Sequence, residues 1–335
     1  MNKYLLILLF FSSLVSFSNA ATFSGFRNII SDEEVTTYPS SPDSPDKVVV
    51  FSSIIDWSEQ KIIVSTKTKI DLSSENAGQE IKNTYTVLKS LALKKAVETI
   101  DTINIDSNNN FMTIKLKKAD FSSKFNTFIS GIQFFELDKS FKETGILKCT
   151  LSVPLSGTDS LTQFVADNYL ETYFNFTFPD LLCQTLYAAE ETGIIIDARD
   201  INLSPALLPK VSTEKKDVYN PKNVPKKDLK ENGAVQYAVV GSRVNADVIK
   251  KEASKQDLSA LKRTGANPVV VKAYKSSGTL QTDAIISEKD AKLIQNSKAL
   301  KEGKVTIIVD SRVGGIIGKN IGENEILVLN IGATK

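Results

Sequence analysis

The spacing of apolar residues changes period several times along this chain, and each change marks an element. Val48 to Ile55 is a β-branched run. Lys61-Ile62-Ile63-Val64-Ser65-Thr66-Lys67-Thr68-Lys69, inside Trp57 to Ile70, alternates as one or two strands with a wet face. From Gly78 to Ile100 the period lengthens. Ile81, Tyr85, Leu88, Ala92 and Ala96 fall three or four apart, Leu91 and Val97 widen the stripe, and Lys82, Lys89 and Lys95 lie off it. That spacing predicts a long amphipathic helix. Phe111 to Leu116 and Ile146 to Leu155 return to strand character, so residues 47–157 read as an α/β module with a helical layer on a sheet.

Ser160 to Glu191 reads as helical and aromatic, with Phe164, Tyr169, Tyr173, Phe174, Phe176 and Phe178 ahead of Pro179, which opens a second helical stretch. Aromatics at helical spacing are usually core, with a partner-contacting or membrane-contacting face as the alternative. Residues 158–191 are expected to connect the first module to a second at 192–335. Strands are expected there at Ile194–Ala198, Val235–Val240, Val269–Tyr274, Ala284–Ile286, Val305–Asp310 and Ile326–Asn330. Ser287 can cap a short helix whose acidic start, Glu288 and Asp290, suits the positive end of its dipole. Lys210 to Lys230, lysine-rich with Pro221 and Pro225, reads as a solvated excursion. The fold class expected is α/β (α+β): two sandwich-like modules, each a mixed or antiparallel sheet with helices packed on one face.

The start of the chain carries a different signal. Lys3 precedes an apolar run from Tyr4 to Val15, and Ser18-Asn19-Ala20 offers small residues where a signal peptidase reads. Residues 1–20 are therefore expected to be a signal peptide cleaved after Ala20. Their apolar run is shorter than the ~20 residues of a membrane-spanning helix. Residues 21–46, with Pro39, Pro42 and Pro45 and few apolar anchors, are expected to be an extended or disordered lead-in, with order from Lys47.

Composition narrows the chemistry. The 335 residues are enough for roughly two domains of ~150 residues each. A formal net charge of +2 gives no reason to expect nucleic acid. Histidine is absent, which removes the commonest general base and the commonest metal ligand. A Ser-His-Asp or Cys-His nucleophile cannot be built from this chain alone. Carboxylate, lysine or tyrosine chemistry remains open, but no motif for it appears. Cys149 and Cys183 could form one disulfide after export or stay as two buried thiols.

Two segments echo each other. Ile194-Ile195-Ile196-Asp197-Ala198-Arg199 and Ile307-Ile308-Val309-Asp310-Ser311-Arg312 are each an apolar run followed by Asp, a small residue and Arg. Residues two apart on a strand share a face. Asp197, Arg199, Asp310 and Arg312 are thus either an ionic plug at a sheet margin or a ligand-binding set. Val313-Gly314-Gly315-Ile316-Ile317-Gly318-Lys319-Asn320 only superficially resembles a phosphate loop. Val313 stands where that loop needs Gly, and Asn320 where it needs Ser or Thr, so a glycine-rich turn is expected. No catalytic, cofactor-binding or metal-binding residue is assigned.

Asp56-Trp57, the long Ala- and Leu-bearing helix and Leu151-Ser152-Val153-Pro154-Leu155 together resemble the domain of exported bacterial lipoproteins that includes the flagellar accessory protein FlgP. Gly193 to Arg199, Pro205 to Lys210, Val218 to Pro221 and Asn232-Gly233 resemble, in that order, the C-terminal module of larger uncharacterised members. The lipid-anchor cysteine of those lipoproteins has no counterpart here, so acylation is not carried over, and residues 160–191 match no part of them. The resemblance implies a periplasmic or outer-membrane-associated envelope protein, among flagellar and motility components, without catalytic residues or cofactor. Its expected partners are other envelope or flagellar proteins or a second copy, with no nucleic acid and no membrane span after signal removal. The alternative is a periplasmic ligand-binding module using the Asp and Arg groups at the sheet ends.

Overall fold

The computed structural model describes residues 23–25, 27–38, 47–73, 75–132, 135–138, 141–170, 191–241, 244–256 and 259–310. The expected signal peptide, the stretch 171–190 with Cys183, and the glycine-rich turn and strand beyond residue 310 lie outside them.

The first part of the chain runs β1 (Phe23–Gly25), β2 (Arg27–Tyr38), β3 (Lys47–Asp56), β4 (Lys61–Lys69), α1 (Ala77–Asp101), α2 (Phe111–Lys117) and α3 (Ala119–Ser130). It continues through β5 (Phe135–Leu137), α4 (Phe141–Thr144), β6 (Ile146–Pro154) and α5 (Leu161–Asn168). The second part runs β7 (Gly193–Asp197), β8 (Val211–Ser212), β9 (Asp217–Tyr219), α6 (Lys226–Asn232), β10 (Gln236–Val240), α7 (Ala246–Lys255) and α8 (Ser259–Lys262). It ends with β11 (Pro268–Ser277), β12 (Asp283–Ile286), α9 (Glu288–Ile294), α10 (Lys298–Lys301) and β13 (Val305–Val309).

The N-terminal sheet is antiparallel, in the order β2-β3-β4-β6-β5. Alternation decides its faces. Val49 and Ile55 on β3, Ile62 and Val64 on β4, and Leu147, Cys149, Leu151 and Val153 on β6 are buried. Helix α1 packs on β3, β4 and β6 and buries Leu88, Ala92, Ala96 and Ile100, as the helical stripe predicts. Small Ala92 and Ala96 on that stripe let the helix backbone lie close to the sheet.

The C-terminal sheet is mixed, in the order β1-β10-β13-β7-β11-β12-β8-β9, and β10, β13, β7 and β11 are mutually parallel. Strand β7 is buried on both faces, which is why it reads as an unbroken apolar run. Ile194 and Ile196 enter the main core, whereas Ile195 enters a second cluster with Ile249 and Ala253 of α7 and Leu261 of α8. The main core is continuous across the two sheets, from Ile62 and Val64 through Trp57 to Tyr237 and Ile307. Gly193 is required at the start of β7, because a Cβ there would overlap the backbone of Thr264.

Three expectations change. Residues 21–46 were expected to lead in without order, yet β1 pairs antiparallel with β10 and β2 pairs along nearly the whole of β3. Phe111 to Leu116 is a helix, not a strand. Asn110 caps it by accepting the Thr113 N–H, and Phe111 and Ile114, one turn apart, are the buried positions while Met112 and Leu116 stay exposed. The lysine-rich stretch 210–230 is not a solvated excursion, since Val211, Tyr219, Val224 and Leu229 are buried in it. In the expected aromatic connector, the described part is α5, capped by Ser160, with Phe164 packed on Phe121, Phe125 and Phe128.

Candidate functional site

In parallel α/β sheets, ligands are usually held beyond the carboxyl ends of the strands. Here that margin is where the two echoing segments meet. β7 and β13 are neighbours, with Asp197 level with Ile308. Continuing that register by two residues sets Arg199 beside Asp310.

Arg199 is densely engaged. Its Nε donates to Asp197 Oδ1 at 2.8 Å and its Nη2 to Asp197 Oδ2 at 2.6 Å, a fork-to-fork pair. Its Nη1 donates to the carbonyls of Gly241 at 2.8 Å and Val244 at 2.7 Å, tying down the chain that leaves β10. Both side chains are largely buried, at 9% exposure for Arg199 and 14% for Asp197. The Asp197 hydrogen bonds are the main reason the guanidinium holds its proton more tightly than usual, opposed by burial and aided by the charges of Asp197, Asp200 and Asp310. Asp310 is buried. Asp200 is exposed and binds Lys272 at 2.7 Å, which holds its carboxyl below the usual range. Arg312 lies outside the described residues. The structure therefore brings Asp197, Arg199 and Asp310 together and spends the first two on each other and on backbone.

The opposite margin, where the parallel strands begin, contains a residue the sequence did not single out. Arg263 donates from Nε to Gly303 O at 2.8 Å, from Nη1 to Asn232 O at 2.7 Å, and from Nη2 to Gly233 O at 2.5 Å and Ala234 O at 3.0 Å. These carbonyls belong to the turns entering β10 and β13. Burial pulls this guanidinium below its usual value. An arginine bound by backbone carbonyls leaves no sequence motif, because every residue has the same carbonyl.

A third polar constellation lies in the seam between the sheets. Trp57, in the β3–β4 turn closed by Asp56, packs edge-on against Tyr237 at 5.4 Å. The Tyr237 hydroxyl accepts the Ala206 N–H and donates to the Ala206 carbonyl. Asn104 and Ile105 carbonyls accept the Leu207 and Leu208 N–H groups, so the Pro205–Lys210 element is stitched to the first module. Nearby, a cavity of about 110 Å³ is lined by Asp106, Ser107, Asn108, Lys210 and Lys222 among others. Asp106 accepts the Tyr169 hydroxyl at 2.5 Å, and Asp283 accepts the Lys210 N–H at 2.9 Å. Burial is the dominant influence on Asp283 and raises its carboxyl above the usual range, against hydrogen bonds from Lys210, Ser107 and Thr282. Such a joint holds two sheets in register. Its cavity has room for a few waters.

Among the described residues, no group of three or more His, Cys, Asp or Glu side chains is placed to hold a metal ion. No described helix is long and apolar enough to cross a membrane. Cys149 is a buried thiol, and burial pushes it up despite a hydrogen bond with Tyr85. Its proposed partner Cys183 lies outside the described residues.

The margin geometry and strand order define the second part of the chain as a mixed-sheet α/β module with a parallel centre. Residues 193–311, which run from β7 through β13, match the family described as Treponema pallidum Tp0624, second domain. No curated protein matches the chain.

Proposed function

We propose that this chain is an exported, non-enzymatic protein of the bacterial cell envelope that works by protein–protein contact. The observation that carries this reading is the engagement of Arg199 within the fold. The groups best placed for ligand chemistry at the sheet margin are engaged with Asp197 and with the Gly241 and Val244 carbonyls. The absence of histidine from the sequence narrows catalytic routes further. The treponemal match over residues 193–311 supports a bacterial setting for the second module. A flagellar or outer-membrane assembly role rests on the likeness of the first module to the FlgP-containing lipoprotein family and is the finer part of the proposal.

Deleting the gene and scoring motility, detergent sensitivity and periplasmic cross-links tests it. Impaired swimming or envelope integrity, together with a cross-linked partner, is the expected result. A strain that swims normally, resists detergent and yields no cross-link would remove the reading.

A further inference from the structure

The two modules are pinned together where the α1–α2 loop, residues 102–110, meets the second sheet. Across this seam the Leu207, Leu208 and Leu280 N–H groups donate to the carbonyls of Asn104, Ile105 and Ser107, at 3.0, 2.8 and 2.9 Å. Asn104 Nδ2 donates to the Pro205 carbonyl at 3.0 Å, and Asn108 accepts the Thr279 hydroxyl at 3.2 Å. Gly278 lies so close to Ser107 that a Cβ there would overlap it. One ionisable side chain is enclosed in this contact. Asp283, at the start of β12, is 7% exposed and takes donors from both modules. The Lys210 N–H, at 2.9 Å, comes from the second and the Ser107 hydroxyl from the first, with the Thr282 hydroxyl at 3.4 Å.

These donors are all neutral. Lys210 gives its ammonium to Asp217 of β9 at 3.2 Å, and no lysine or arginine nitrogen lies at ion-pair range of Asp283 among the described residues. The Lys210 charge still favours ionisation from a distance, but burial outweighs it. On the loop, Asp106 is occupied by the Tyr169 hydroxyl and by the Asn108 and Asn109 N–H groups. Lys222, beyond β9, lines the cavity of about 110 Å³ together with Ser107 and Lys210. On β10, Tyr237 is kept protonated by burial first, and the charge of Asp283 adds to that. A buried carboxylate without a cation is costly. Protonated, the same group keeps the Lys210 bond and can donate to the Ser107 hydroxyl, which accepts as well as donates. Ionised, it is relieved by water, and the adjoining polar cavity offers the route.

We propose that Asp283 is a proton-controlled latch between the two modules. With its proton the carboxyl closes the seam. Without it, the α1–α2 loop parts from β12 and the Pro205–Lys210 element while both sheets stay folded. The inference goes beyond the contact-based reading above and does not depend on it.

The test is native-state hydrogen exchange of the full chain, followed by residue across pH and corrected for intrinsic exchange. Leu207, Leu208 and Leu280 should exchange through a local opening that low denaturant does not promote. Ile194 and Ala198, bonded to Lys304 and Ile308 within the second sheet, should wait for global unfolding. Between the ordinary carboxylate value and the raised one, protection at the three leucines should fall by up to about tenfold per pH unit, the slope of a one-proton linkage. In Asp283→Asn, which stays neutral, that slope should vanish. Should the variant fail to fold, the wild-type chain suffices, because the carbon shift of its Asp283 carboxyl should titrate over the range in which protection falls. Protection at the three leucines that does not change with pH would overturn the latch. So would a fall that persists in Asp283→Asn or runs apart from the carboxyl titration, since another group would then be responsible. Exchange of the leucines only with global unfolding would overturn it too, because the seam would then be part of the core.

Discussion

The two ends of the parallel sheet solve one problem with different chemistry. Each must hold loops that leave or enter central strands, and each does so with an arginine. At the carboxyl end Arg199 binds the Asp197 carboxylate and two carbonyls, whereas at the amino end Arg263 binds four carbonyls. The carboxyl end is thus held by a neutralised pair and the amino end by a cation solvated with peptide dipoles. The first can be uncoupled by changing the acid alone. The second has only the arginine to change.

That contrast sets the order of expected effects. Arg263→Met should be the most damaging, at about 3 kcal/mol, because it strands several carbonyls at two strand entries at once. Chemical denaturation measures it, and a loss below about 1 kcal/mol would mean that water replaces the guanidinium. Asp197→Asn should cost less, about 2 kcal/mol, since Arg199 keeps its carbonyl bonds but loses the neutralising charge in a largely buried site. Its loss should be read from the same denaturation curves. An Asp197→Asn protein as damaged as Arg263→Met would erase the distinction between the two ends.

The smallest effect concerns Asp283, farther along the carboxyl side where β11 runs on beyond β7. Its carboxyl is raised by burial, so the folded state keeps a proton that the unfolded chain has released. Stability from this group is therefore present at low pH and falls as pH climbs from the ordinary carboxylate value through the raised one. Asp283→Asn should be more stable than the wild type at neutral pH, with the gap narrowing as pH falls. Melting curves across pH that run parallel for the two proteins would contradict this. No comparable pH response is expected from Arg263.

The sequence announced these two ends unequally, for physical reasons. β7 and β13 are buried on both sides, so their unbroken apolar runs stood out, and the Asp and Arg that follow were visible because charge abruptly follows apolar residues. Arg263 was invisible, because carbonyl ligation imposes no residue type on its partners. Lys210 to Lys230 hid its buried residues behind surface lysines, with Tyr219, Val224 and Leu229 too widely spaced to show a period. α2 reads as a strand in the sequence because Met112 and Leu116, both exposed, fill in an alternation that burial does not follow. By contrast, α1 is long enough for its three-and-four spacing to dominate. The cavity at the seam was illegible because Asp106 and Lys210 meet only through tertiary packing.

The short first strand has a consequence for how the molecule comes together. Ser24 of β1 lies opposite Val239 of β10, while β2, immediately after it, lies along β3. One stretch of backbone therefore closes an edge on each of two sheets whose other strands are far apart in the chain. The β2–β3 pairing is a local hairpin, whereas the β1–β10 contact joins distant parts of the chain, and contacts of such long sequence separation form late and slowly. Until it forms, β10 presents an open row of amide groups, the kind of edge on which chains pair with the wrong neighbour. β1 thus acts as a clasp that fastens last, and the interval before it fastens is when the β10 edge is most open to mispairing.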